Sequence, residues 1–499
     1  MTIALNHEQE IAKAIDSLSI PRQAFINGKF IDSLSGETFP CLSPVHGKLL
    51  ANVAACDKAD VDVAVKAARA AFNRGTWRRM NPFAKKAVLL KLADLMHRDA
   101  NELALLETLD TGKPISDTLG VDIPSAIQSI QWYAETIDKT YDELAPAREG
   151  SLAMITREPI GVVGAVIPWN YPLIITAWKI GPALAAGNCV VLKPAEQSPL
   201  SALKLASLAA EAGIPDGVFN VLPGFGETAG QALGRHMDVD MLAFTGSTEV
   251  GKLFLRYAGE SNMKHVALET GGKSPNIIFD DAGDLDAVAA NAASGIFYNS
   301  GQTCNAPSRI IVDRKIADEF AKLVAKHASS WEAGDPLNKA TTMGSVIDEK
   351  HMGRILGYVE IGQKEGAEII TGGTRALTQS GGFYVAPTVL TKVRNDMRIA
   401  QEEIFGPVVV TIPFDSEEEA IHIANDTIYG LHATIFTQSL TRAHKVAREI
   451  QAGTVTVNNV FGSDITTPFG GYKQSGIGRD KGLHAIEKYQ QIKTTYIQL

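Results

Sequence analysis

The sequence predicts an α/β protein carrying two doubly wound open-sheet domains. Short β-branched runs alternate along the whole chain with segments of helical period, the pattern of largely parallel sheets. At 499 residues the chain also exceeds the roughly 250 to 300 residues at which a single core stops growing. Its 45% apolar and 21% charged residues match an ordinary globular protein.

The elements follow in order. In "DKADVDVAVKAARAAFNRG" the apolar Val61, Val65, Ala68 and Phe72 recur at helical spacing and Gly75 stops the run, which predicts an amphipathic helix. A second helix is expected after Pro82, continuous to the break at Gly112 and Pro114. From Gly161 the texture changes. "GVVGAVIPWNYP" and "NCVVLKPAEQSP" are buried-strand runs ended by turns, with Ser198 placed to cap, and Pro199 to open, the following helix. "GVFNVLPGFGETAGQAL" and "DMLAFTGSTEVGKLFLRYAG" repeat the unit, so residues 157 to 260 read as a doubly wound nucleotide-binding core. A second α/β series follows "VALETGGKSPNIIF", with helices near 283–298 and 315–331. The end, "AIEKYQQIKTTYIQL", alternates like an exposed strand that needs a partner.

Several function classes are excluded. The net charge of −9 is spread out, with no basic block for a phosphate backbone, so nucleic acid is not expected as a partner. No apolar run reaches the ~20 residues that span a bilayer, and the opening "MTIALNHEQEIAKAIDSLSI" lacks the pattern of a leader. A cytoplasmic protein without membrane contact is expected. The four cysteines are scattered and the histidines form no HExxH or similar cluster, so neither disulfides nor a metal are expected.

Candidate site residues come next, each beside its plainer reading. "GFGETA" at 224–229 is a loose dinucleotide fingerprint with Glu249 about 20 residues on, although glycine-rich turns are common. "GSTEVGKL" at 246–253 has P-loop spacing, but Leu253 stands where a magnesium-binding Ser or Thr belongs; a helix start at Gly246, Ser247 and Thr248 that suits a diphosphate remains. Lys193 and Glu196 follow a strand where an acid would hold the adenosine ribose, and that carboxylate disfavours an added 2′-phosphate, favouring NAD over NADP. Cys304 is either small filler or a nucleophile: the polar Asn299, Ser300, Gln302 and Asn305 suit an accessible thiol. Glu269, at a strand end before Gly271 and Gly272, is a mobile general base or a loop acid in water. Asn170, between two prolines, is an oxyanion donor or a turn residue.

Taken together, "PWNYP", "KPAE", "FTGSTEVG", "LETGGKSP", "GQTC", "EEIFGPV" and "PFGGYKQSGIGRD" resemble, in this order, the NAD(P)-dependent aldehyde dehydrogenase superfamily. The resemblance implies Cys304 as nucleophile, Glu269 as general base, and Asn170 with the Cys304 backbone N–H as the oxyanion site. It implies cofactor contacts at Ile167, Pro168, Trp169, Lys193 and Glu196. Further contacts fall at Gly226, Gly230, Phe244, Gly246 and Ser247, and at Glu403 and Phe405 by the nicotinamide ribose. Tyr171, Trp178, Tyr298, Thr303 and the segment 461–469, with Asp464 and Phe469, would line the substrate tunnel; Asp122 and Asp464 would attract a cation at its mouth.

The implied fold is aldehyde dehydrogenase-like. Residues 1–136 and 157–269 form an NAD-binding domain, 270–480 a catalytic domain, and 137–156 with 481–499 a small bridging oligomerisation sheet of a homodimer or homotetramer. "LETLDTGKPI", "WYAETIDK" and "HAIEKY" look most like bacterial aminoaldehyde and gamma-glutamylaminobutyraldehyde dehydrogenases. That implies oxidation of amino-, guanidino- or gamma-glutamylamino-aldehydes from polyamine catabolism to acids with NAD. A broad-specificity aldehyde oxidiser, a non-catalytic NAD-binding descendant and a CoA-acylating dehydrogenase are the alternatives; the presence of Cys304, Glu269 and Asn170 favours hydrolytic catalysis.

Overall fold

A computed structural model describes residues 8–462 and 464–499. The segments read above at residues 1–7 and at Ser463 lie outside the described residues. Two large sheets dominate. The first has eight strands, and its parallel centre runs Phe219–Val221, Cys189–Lys193, Val162–Val166, Met241–Thr245, His265–Glu269 across the sheet. Numbered along the chain, those strands stand in the order 3-2-1-4-5, so the winding reverses between Val162–Val166 and Met241–Thr245. At such a reversal the loops leave in opposite directions and open a crevice at the carboxyl ends of the strands.

The second sheet has seven strands, centred on Pro275–Ile278, Arg309–Asp313 and Val408–Phe414, all parallel to one another. Strands in both centres are buried on both faces and rich in Val and Ile, as helices on either side of a parallel sheet require. The carboxyl edge of the first sheet faces chain segments that enter the amino edge of the second. Gly271 and Gly272 precede Pro275–Ile278, Cys304 precedes Arg309–Asp313, and Glu403 precedes Val408–Phe414. The short strand Gly476–Ile477 returns late in the chain to close the first sheet beside His265–Glu269.

The helix expected at the first periodic run spans Lys58–Arg74 and ends at Gly75 with φ 77°. Asp57 accepts the Ala59 N–H and Asp60 accepts the Asp57 N–H, a reciprocal cap that fixes its start. Two expectations need correction. The continuous helix after Pro82 is two helices, Pro82–Arg98 and Ala100–Thr111, broken at Asp99, whose carboxylate is drawn to Arg98 and Lys204. Ser198 is not a cap: its hydroxyl donates to the Trp169 carbonyl at 3.2 Å, and the helix Leu200–Ala212 starts without a side-chain cap.

A third, antiparallel sheet joins Glu143–Ala145, Ser151–Pro159 and Gln490–Gln498. The last strand is nine residues long, pairs along one side only, and exposes Ile492 (71%) and Tyr496 (54%). Among the described residues no helix is long and apolar enough to cross a membrane.

Candidate active site

Between the two large sheets lies a cavity of about 410 Å³, within the size range of small-molecule sites. Its walls gather segments far apart in sequence. Trp169, Asn170 and Tyr171 come from the turn after Val162–Val166, and Gly246 and Ser247 from the turn after Met241–Thr245. Glu269 ends its strand there, and Cys304 and Glu403 arrive from the second sheet. Cys41, Cys56 and Cys189 are buried, which leaves Cys304 the one accessible thiol of the four.

The approach to Cys304 is strained backbone. Asn299 (φ 50°), Ser300 (φ 54°) and Gly301 (φ 70°) are three successive residues in the left-handed region, a conformation costing the order of 1 kcal/mol or more for each non-glycine residue. Side chains hold it. Asn299 Nδ2 donates to the carbonyls of Asn170 and Gln302 at 3.2 Å, Ser300 Oγ donates to Gly344 O at 2.9 Å, and Gln302 Oε1 accepts the Ile347 N–H at 2.9 Å. These polar neighbours therefore serve differently from what their polarity suggested. Asn299, Ser300 and Gln302 are buried and bind the loop; they do not open Cys304 to solvent. Access comes from the cavity.

Asn170 joins the two sides, its Nδ2 donating one hydrogen to Gln302 O at 2.9 Å. An amide NH₂ carries a second hydrogen. Tyr171 Oη and Thr303 Oγ1 are 2.9 Å apart, and the buried Lys113 ammonium lies 3.7 Å from the Tyr171 ring centroid.

The electrostatics are those of buried acids facing a thiol. Glu269 is 3% exposed, neither carboxylate oxygen has a hydrogen-bond partner, and its pKa is pushed up to about 8. Burial is the main cause; the Lys179 ammonium pulls against it, and Asp480 and Glu403 add to it. Burial, with the charges of Glu269 and Glu403, also lifts the Cys304 thiol well above its ordinary range, and backbone N–H groups of Asn305 and Cys304 ease it back. Behind Glu269, Asp480 pairs with Lys179 at 2.6 Å and also with Lys488. Glu403 accepts the Gly272 N–H at 2.9 Å and is raised by burial to about 7.

The Gly-Gly pair after Glu269 also has a steric reason. A Cβ at Gly271 would stand 2.2 Å from the Glu403 carboxylate, and one at Gly272 would stand 2.5 Å from the Cys304 carbonyl. The glycines let the two sides approach.

At the other end Trp169 stacks edge-on with Phe405 and His351, both at 5.3 Å. Next to it the helix Thr248–Gly259 starts at Ser247, whose hydroxyl accepts the Val250 N–H at 3.3 Å. Gly251 lets this helix approach the strand His265–Glu269 and the residue after it, since a Cβ there would meet Thr270 at 3.0 Å. Lys193 pairs with Glu196 at 2.9 Å at the carboxyl end of its strand, and Gly226–Gly230 forms a π-helical turn past Phe219–Val221. These four residues share the carboxyl edge of the sheet but do not line the cavity. Ile167 and Phe244 are buried behind it.

On the opposite side Trp178, Tyr298 and Phe469 line the wall, with Trp178 and Phe469 5.4 Å apart and Tyr298 6.1 Å from Phe461. The two aspartates expected at the mouth stand differently, and Asp122 is not there. Asp122 is fully buried in an ion pair with Lys113, because it falls on the inner face of the segment Thr118–Asp122. Asp464 is exposed, near enough to the wall residue Lys481 to act on its charge, its carboxylate accepting the Thr466 N–H at 2.8 Å in a tight turn. His351, Arg354 and Lys481 do line the cavity. Sequence reading missed all three: His351 and Arg354 lie far from any motif core, and Lys481, immediately after "GRD", carries no signal of its own in the sequence. Among the described residues no group of three or more His, Cys, Asp or Glu is placed to hold a metal ion.

A doubly wound sheet whose reversal opens beside an accessible cysteine and a buried acid and amide defines an enzyme class in which a cofactor crevice meets a thiol. The chain belongs to the aldehyde dehydrogenase family, whose model matches residues 30–495. It is 52% identical over 483 residues, 97% of each chain, to the NADP/NAD-dependent aldehyde dehydrogenase PuuC of Escherichia coli. The structure of the P. syringae indole-3-acetaldehyde dehydrogenase AldA with NAD+ and IAA superposes with TM-score 0.97 at 53% identity over 99% of both chains. That of the gamma-glutamyl-gamma-aminobutyraldehyde dehydrogenase of Burkholderia cenocepacia superposes with TM-score 0.96, also at 53% identity over 99% of both chains.

Proposed function

We propose that this aldehyde dehydrogenase oxidises its aldehyde through a covalent thioester on Cys304. The observation that carries the reading is the convergence of Cys304, Asn170, Glu269 and Glu403, from four separate segments, on one cavity. The Cys304 thiol gives its proton to solvent through the cavity and its sulfur attacks the aldehyde carbon. The second hydrogen of the Asn170 amide and the Cys304 backbone N–H stabilise the developing oxyanion. NAD+, when bound, accepts the hydride that leaves that carbon. Glu269 then deprotonates a water, which attacks the thioester; the acid leaves and Cys304 returns as a thiol.

The carboxyl edge of the first sheet fits a dinucleotide: its reversal point, the capped helix start at Ser247 and the open cavity beside Trp169 coincide. Lys193 and Glu196 would hold the adenosine ribose, and Gly226, Gly230, Gly246 and Ser247 would border the diphosphate. Glu403 and Phe405 would meet the nicotinamide ribose, with Pro168 and Trp169 beside it and Ile167 and Phe244 backing the site. The Glu196 carboxylate supports NAD over NADP. We assign 1–136 with 157–269 to the NAD-binding domain, 270–480 to the catalytic domain, and 137–156 with 481–499 to oligomerisation. The open edge of Gln490–Gln498 supports a homodimer or homotetramer, and the free cysteines support a cytoplasmic setting.

For substrates we propose extended aldehydes of polyamine breakdown, amino-, guanidino- or gamma-glutamylamino-, supported by the Burkholderia neighbour. A broad-specificity reading rests on the aromatic wall of Trp178, Phe461 and Phe469 and on the indole-3-acetaldehyde neighbour. The test is product analysis with NAD+ and gamma-glutamylaminobutyraldehyde. Acid and NADH should form in equal amounts, and Cys304→Ala should lower the rate by at least about 10⁴-fold. NADH formation at the wild-type rate in that variant would remove Cys304 from the reaction.

A further inference from the structure

We propose that Lys113 is a positioning residue of the reaction: from outside the cavity it fixes the ring of Tyr171, and through the hydrogen bond between Tyr171 and Thr303 it holds the residue that immediately precedes Cys304. The inference rests on the Cys304 chemistry proposed above and gives a role to the stretch "LETLDTGKPI", which contributes no side chain to the cavity wall.

The contacts run in an unbroken line. Lys113 and Asp122 form an ion pair in which both side chains are fully buried, and the Lys113 ammonium stands 3.7 Å from the Tyr171 ring centroid, where the negative face of the ring attracts it. Tyr171 Oη in turn lies 2.9 Å from Thr303 Oγ1. Burial, with the charge of Asp122, raises the Tyr171 phenol above its ordinary range while the bond to Thr303 eases it back, so the hydroxyl keeps its proton. The backbone beside Lys113 reaches the same loop by a second route. Gly112 O accepts the Ser345 N–H at 3.3 Å, Ser345 O accepts from Gln302 Nε2 at 3.4 Å, and Gly344 O accepts from Ser300 Oγ at 2.9 Å. Residues 112 and 113 therefore brace the loop from Tyr298 to Cys304 at Ser300 and Gln302 through backbone, and at Thr303 through side chains. That loop needs bracing, because its left-handed backbone at Asn299 and Ser300 is strained. A buried ion pair adds little net stability over apolar side chains of the same size. What this pair supplies is placement: Asp122 keeps one ammonium over one ring. A shift of Thr303 would carry with it the Cys304 N–H and sulfur, which act only when aimed at the aldehyde.

The test is the rate constant of NADH formation in the first turnover with NAD+ and propanal, read beside the melting temperature and the KM for NAD+. Lys113→Met/Asp122→Asn removes both charges together, so neither is left buried and unpaired. It should lower the rate constant about tenfold while the melting temperature holds within about 2 °C and the KM for NAD+ within about twofold. Lys113→Gln/Asp122→Asn is the second form of this variant should the first not fold. Tyr171→Phe and Thr303→Val each remove one hydroxyl; each should cost about the same tenfold, and the two together no more than either alone. Thr303→Ser should recover most of what Thr303→Val loses. A wild-type rate constant in the paired variants, or losses at Tyr171 and Thr303 that multiply to about a hundredfold, overturns the proposal. A fall in melting temperature that accompanies every loss of rate overturns it too, since the pair would then be structural only. Absence of NADH from the wild type, with propanal and gamma-glutamylaminobutyraldehyde alike, would instead sink the thioester reading, and the proposal with it.

Discussion

At the carboxyl edge of the first sheet, the groups proposed to face the cofactor sit on regular structure: strand ends, a helix start at Ser247, and an ion pair of Lys193 with Glu196 three residues on. On the side formed by the second sheet, the corresponding groups sit on the loop from Tyr298 to Cys304, whose backbone is left-handed at three successive positions and is pinned by buried amides. One side obtains its geometry from repeating hydrogen bonds that many sequences supply. The other obtains it from side chains that must each be the right one. Function placed on strain tolerates little change, so substitutions of the same kind should have unequal effects on the two sides.

The largest effect belongs to Gly301→Ala. The position has φ 70°, and an added Cβ would stand 2.0 Å from the Gly406 carbonyl, backbone that cannot swing aside. A loss of about 3 kcal/mol or more is expected, seen as a lowered melting temperature together with loss of NADH formation. Gly226→Ala is the matched change on the first-sheet side: its φ is not positive and the new Cβ meets nothing within 4 Å, so the melting temperature should hold. Equal losses in the two variants would break the comparison.

That asymmetry also governs what the sequence discloses. The helix Lys58–Arg74 was legible because a 3.6-residue apolar period and a terminal Gly75 are local signals. So were the strand ends that carry Asn170, Lys193 and Glu269. The break at Asp99 was not, since the carboxylate that stops the helix is held by Lys204 from a distant segment. Around Cys304 the residue types were visible but their purpose was not. Asn299 and Gln302 look like solvent-loving neighbours until the loop they bind is known to be left-handed and buried. Asp122 failed for the same reason: its partner Lys113 is what turns a mouth charge into an internal ion pair.

An intermediate effect is expected where the two sides meet. Glu269 is raised to about 8 chiefly by burial, so its base form is scarce at pH 6 and grows as pH rises through 8. The acid-releasing step in wild type should therefore climb with pH and level off above about 8, while hydride transfer, read as a burst of NADH, is less affected. Glu269→Gln should remove that rising limb and slow thioester hydrolysis by about 10²- to 10⁴-fold, leaving a burst followed by slow turnover. A pH profile of unchanged shape in this variant would assign the limb to another group, with Cys304, also raised by burial, the first to consider.

The smallest effect tests the tolerant side on its own terms. Ser247 caps the helix Thr248–Gly259 through one hydrogen bond to the Val250 N–H, at 3.3 Å, and a lost serine cap costs about 1 kcal/mol. Ser247→Ala should lower the melting temperature by about 2 °C, and Ser247→Gly by less, because glycine leaves the capping N–H groups open to water. The helix has other support, since Phe254 packs in the core against Phe244 at 5.0 Å and Gly251 sits close against Thr270. Its position does not depend on the cap. A loss at Ser247→Ala as large as that at Gly301→Ala would show that the helix start is held by single side chains after all, and the difference between the two sides of the cavity would then be one of residue type alone.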